Sequence, residues 1–74
     1  MEILNQVTLK KEGNECLITY YIYIVRLDYH KYITFMTEAV EGSWTGNPIT
    51  TNFETFTDYP EALAYMDKLV EKVK

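Results

Sequence analysis

The only histidine, His30, stands two positions after Asp28 in the stretch Asp28-Tyr29-His30-Lys31. An Asp–His pair can move protons near neutral pH, but acyl or group transfer also needs a nucleophile within reach. Spacing offers none, because the sole cysteine, Cys16, lies at the far end of the apolar run that precedes the turn. His30 therefore reads as a solvated turn residue. A thiol becomes reactive beside a cation, and the hairpin register argued below sets Lys11 opposite Cys16. A half-buried structural cysteine is the plainer reading.

Three carboxylates, Glu38, Glu41 and Glu54, are expected to gather at one end of two neighbouring strands. Clustered carboxylates can hold a metal or imitate phosphate spacing; a charged rim that stops sheet edges from pairing accounts for them equally well. No Cys/His set has zinc-ligand spacing, and phosphate-cradling glycine loops and nucleophile elbows are missing. The expectation is a protein with no catalytic residues, no metal and no cofactor.

Residues suited to binding are more evident. Trp44 sits in Gly42-Ser43-Trp44-Thr45-Gly46, a segment expected to protrude, and exposed Trp and Tyr are enriched among interface anchors. Folding back to plug one end of the core is the competing reading for Trp44, and the one weighed slightly ahead. Tyr29 in its turn and the Glu38, Glu41 and Glu54 rim complete the expected partner-binding set. Tyr21, Tyr23 and Tyr32, with Arg26 and Lys31, suggest a second use, the stacking of single-stranded bases on sheet aromatics, which the placing of Arg26 on the opposite face from Tyr21 and Tyr23 weakens.

These residues are positioned by a chain organised around Glu15–Leu27, a run of β-branched and aromatic residues with the composition of a central strand. Alternation puts Ile18, Tyr20, Ile22, Ile24 and Arg26 on one face, and Leu17, Tyr21, Tyr23, Val25 and Leu27 on the other. Ile3–Lys11 reads as a preceding strand, joined through a type II′ turn with Gly13 at its first central position. That turn pairs Leu9 with Ile18, Val7 with Tyr20 and Ile3 with Ile24. Asp28–Lys31 turns the chain into a third strand, Tyr32–Val40, setting Ile24 opposite Phe35 and Arg26 opposite Ile33. Glu41–Pro48 is a turn-rich connection to a fourth strand, Ile49–Phe56, with Ile49 and Phe53 facing the core. A helix closes the chain. Asp58 with Glu61 has capping-box spacing, Pro60 fits only a first turn, and Ala62, Leu63, Met66, Leu69, Val70 and Val73 form one apolar stripe.

The expected fold is a single α+β domain over residues 1–74: a four-stranded antiparallel meander with one C-terminal helix on one face, ββββα. Its order of elements is similar to that of dimeric single-strand-binding transcription-factor folds, a likeness of order alone. At 74 residues, one core is only marginally sufficient. A formal charge of −4 disfavours a phosphate-backbone partner. The N-terminus lacks the pattern of a signal peptide, and the longest apolar run is too short for a membrane helix, so a cytoplasmic, membrane-free protein is expected.

One helix can shelter only one sheet face. In this register it covers Ile3, Val7, Leu9, Ile18, Ile22, Ile24, Ile33, Phe35 and Phe53. Leu4, Tyr21, Tyr23, Val25, Leu27, Tyr32 and Met36 remain outside, with Leu17 and Val40. Apolar patches of that extent generally mark association, so a homodimer through this face is expected. The resulting functional expectation is a small binding protein acting by protein–protein contact. It would be an inhibitor or accessory protein of the phage or mobile-element kind, occluding a host protein. The alternative is a single-stranded nucleic-acid binder or transcription regulator using the tyrosine-rich face.

Overall fold

A computed structural model describes residues 2–13, 16–42 and 49–74; of Glu41 and Ile49 only the backbone is described. Four strands follow in chain order: β1 (Glu2–Gly13), β2 (Cys16–Asp28), β3 (Lys31–Gly42) and β4 (Ile49–Phe56). They form one antiparallel sheet in the order β1-β2-β3-β4, each strand beside its sequence neighbour. A helix, α1 (Tyr59–Val73), then packs across β2, β3 and β4. The expected ββββα meander is the observed one.

The sheet departs from the sequence reading in register, and the departures decide which residues face the helix. In the first hairpin Gly13 pairs with Cys16, so Gly13 is the last position of β1 rather than a turn centre; residues 14 and 15 lie outside the described residues. Leu9 consequently pairs with Tyr20 and Val7 with Ile22, a slip of two from the expected register. A slip of two keeps every side chain on its face. Cys16 no longer opposes Lys11, whose partner is Ile18. A β-bulge between Ile3 and Asn5 then moves Ile3 opposite Val25, turning it away from the helix.

The second departure has larger consequences. Asp28 pairs with Lys31 as expected, but Arg26 pairs with Tyr32, leaving Leu27 as an extra residue on β2. Asn52 is the one non-glycine residue with positive φ among those described, so Tyr29 and His30 both have negative φ. A two-residue turn of that kind does not match strand twist as the mirror-image turns do, and the bulge at Leu27 absorbs the difference. One extra residue inverts the facing of the whole next strand. Tyr32, Thr34 and Met36 therefore lie opposite Arg26, Ile24 and Ile22 on the helix side. Ile33 and Phe35, expected under the helix, lie opposite Val25 and Tyr23 on the open side.

β4 carries a third irregularity. Glu54 pairs with Thr34 and Thr51 with Met36, so Asn52 and Phe53 together oppose Phe35. Asn52 takes φ 51°, a left-handed conformation that asparagine tolerates better than most residues. Phe56, not Phe53, packs toward the helix, and Phe53 is 59% exposed.

The core lies between this corrected face and α1. Ile22, Ile24, Met36, Ala62, Met66, Leu69 and Val73 are buried together, with Val7, Leu9, Tyr20, Tyr32, Phe56 and Tyr59 around them. The helix stripe was read correctly. Its start was read less well: Asp58 is the N-cap in extended conformation, but its side chain makes no capping bond. The first turn is held by Pro60 and by the Ala62 N–H donating to the Asp58 carbonyl at 3.2 Å. Thr34, fully buried, donates its hydroxyl to the Ala62 carbonyl at 3.0 Å, which satisfies a polar group that the core could not otherwise hold.

Candidate binding face

The site is built by what α1 leaves uncovered. Fifteen residues of helix span roughly 22 Å at ~1.5 Å per residue. Strands of 12 or 13 residues span roughly 40 Å at ~3.3 Å per residue, in keeping with a longest molecular dimension of 43 Å. All helix packing falls on one side, so no described element covers the other.

Pairing sorts that open face into cross-strand rows. Ile3, Val25, Ile33 and Thr55 form one row, beside the Arg26–Asp28 end of β2. Gln6, Tyr23 and Phe35 form the next, with Phe53 facing the same way by alternation from Thr55. Thr8, Tyr21, Thr37 and Thr50 follow, then Lys10, Thr19 and Ala39. The rings of Tyr23 and Phe35 stack at 5.2 Å between centroids, and those of Tyr21 and Tyr23 at 6.5 Å. This gives a continuous aromatic line across and along the sheet.

The floor of the face is closed. Val25 is only 4% exposed, and Thr19 and Ile33 are buried as well. Its shoulders are open: Ile3 on β1 is 60% exposed and Phe53 on β4 is 59% exposed. Among the described side chains, the register puts charge on this face only at its two ends: Lys10 and Glu12 at the far end of β1, and Lys31, on the same side as Ile33, with its partner Asp28 beside the β2–β3 turn.

Of the residues expected on a dimer face, Tyr21, Tyr23 and Val25 lie here. Tyr32 and Met36 do not, because the bulge at Leu27 carries them beneath the helix, where Tyr32 meets Tyr59 edge-on at 6.1 Å. Leu4 is half-buried at the β1 bulge, and Leu27 is an exposed bulge residue. Ile33, Phe35, Ile3 and Phe53 were missed on this face. The signal that could have found the first two is the turn itself, since Tyr29-His30 lacks the Gly or Asn that a bulge-free two-residue hairpin demands.

Of the expected partner contacts, Trp44 lies outside the described residues. Tyr29 is 85% exposed at the tip of the β2–β3 turn, where its N–H donates to the Asp28 carboxylate at 2.7 Å. It borders a cleft of about 440 Å³ lined also by Glu2, Arg26, Leu27 and Asp28. Arg26 spends its charge there on Glu2, at 2.7 Å, an exposed pair of small energetic weight. His30 is exposed beside Tyr29, with ring centroids 6.5 Å apart.

The structure separates the acidic rim. Glu54 pairs with Thr34 and Glu38 with Tyr20, four residues apart along β3 or about 13 Å at ~3.3 Å per residue. Only the backbone of Glu41, paired with Leu17, is described. Among the described residues, no three His, Cys, Asp or Glu side chains gather as a metal site, and no helix is long and apolar enough to cross a membrane. Comparison with protein-family models, with curated proteins and with solved structures gives no match.

Proposed function

We propose that this chain is a small non-catalytic protein that works by protein–protein contact through its helix-free sheet face. The exposed Tyr29 turn serves as a second contact. One observation carries the reading: a broad sheet face that bears an aromatic line and two open apolar shoulders, with its central rows free of charge, on a chain of which 24% is charged. Exposed apolar patches of this kind are retained where a partner covers them. An inhibitor or accessory role of the phage or mobile-element type, in which the Tyr29 turn and not the sheet face occludes a surface of a host protein, is the setting that suits so small a chain.

The aromatic line favours a second reading, stacking of single-stranded bases. Charge opposes it, because Arg26 is paired with Glu2, Lys10 shares its end of the face with Glu12, and Lys31 stands opposite Asp28 at the other end. Titration with labelled single-stranded oligonucleotides at two salt concentrations separates the readings. Protein contact predicts no salt-dependent binding, together with retention of a soluble protein partner that Tyr29→Ala abolishes. Oligonucleotide affinity that falls steeply with salt and is lost in Tyr23→Ala would establish the second reading instead.

A further inference from the structure

We infer that the occupant of the open sheet face is a second copy of this chain, packed face to face so that the two helices lie outermost. The inference rests on the proposed role of this face and names its partner.

Charge distribution is the first argument. The chain carries −4, so any self-contact that joined acidic surfaces would be opposed. The described acidic residues of the helix and its approach, Asp58, Glu61, Asp67 and Glu71, are all exposed and belong to the element on the opposite side of the sheet. Two sheets packed at ~10 Å, each backed by a helix layer, would hold those groups more than about 20 Å apart. That exceeds the ~8 Å screening length at physiological salt, so the net charge does not prevent this particular contact. At the meeting surface the rows from Ile3 to Thr50 contain no charged residue, and a two-fold contact lays that patch on itself without like charges opposed.

Area is the second. Three strands roughly 40 Å long and a fourth of roughly 26 Å, ~4.8 Å apart, present about 700 Å². A standard interface uses about 800 Å² per partner, so the face is near the size a specific dimer needs only if most of it is engaged. A small partner contacting one corner would leave either Ile3 or Phe53 in water, since they stand on opposite edge strands. A second sheet of the same width covers both.

Sedimentation equilibrium of the full chain between 1 and 100 µM tests this, with Ile3→Lys, Phe53→Lys and Glu71→Lys as variants. The positions are exposed, and the far-ultraviolet circular dichroism and melting of each variant establish that it still folds. The expected result is a monomer–dimer equilibrium whose dissociation constant rises at least tenfold in Ile3→Lys and in Phe53→Lys and stays within twofold in Glu71→Lys. A wild-type monomer at 100 µM overturns the inference, as does a dimer unaffected by both face variants. An apolar fluorescent dye then separates the two proposals. A monomer that binds the dye in a Phe53→Lys-sensitive manner keeps the face as a site for another protein, whereas a monomer that does not bind it removes the proposed function as well.

Discussion

Thr34 shows how a single residue records which way its strand faces. On the expected register it pointed away from the helix; in the structure it is fully buried beneath it and bonded to the Ala62 carbonyl. Its replacement by valine keeps the shape and removes the hydroxyl. The Ala62 carbonyl keeps its place within the helix, so no acceptor is wholly abandoned and the loss stays near an ordinary net hydrogen bond. Thr34→Val is expected to destabilise by about 0.5–1.5 kcal/mol, read as a lower urea midpoint with unchanged slope. Were Thr34 exposed on an open face, the same change would be neutral. Tyr29 and Trp44 stand out by residue type together with place, in a turn and in a glycine-flanked segment; for Tyr29 the exposure needed for an anchor is present, and a tight turn is where sequence makes such exposure legible.

Elements were legible where pattern and chemistry agreed. The four strands and the helix were placed within a few residues of their bounds, because runs of β-branched residues and one 3.6-residue stripe admit few other readings. Facing was not legible on β3. Tyr32, Met36 and Val40 on one side and Ile33 and Phe35 on the other are both apolar sets, so alternation could not choose between them. The choice is made by one extra residue at Leu27. On β4, likewise, nothing in the thr-rich run announced that Asn52 would take a left-handed conformation and aim Phe56 rather than Phe53 at the helix. Asn52→Gly is expected to keep or slightly raise the melting temperature, because glycine enters that region freely. Asn52→Val should cost about 1–2 kcal/mol through its branched Cβ, measured by thermal or chemical unfolding. Equal behaviour of the two variants would mean that β4 pairs without the bulge.

At the scale of the whole molecule, one helix about half as long as the sheet leaves a problem that the chain's described residues do not solve internally. Met36 and Val25 are enclosed, so the uncovered apolar surface is concentrated in Ile3, Phe53 and the rims of Tyr21, Tyr23 and Phe35. Sequence reasoning reached the idea of an orphan face from the surplus of apolar residues on β2. It misassigned the members contributed by its neighbours, because their register depends on bulges. The claim on which the functional reading depends is that this face, and not the helix layer, meets the partner. Dilution of isotope-labelled protein from roughly 500 to 10 µM, followed by nuclear magnetic resonance, addresses it residue by residue. The account predicts shifts confined to Tyr21, Tyr23, Phe35, Phe53 and Ile3, with Glu61, Asp67 and Glu71 unmoved; shifts that instead cluster on those three helix residues would contradict it.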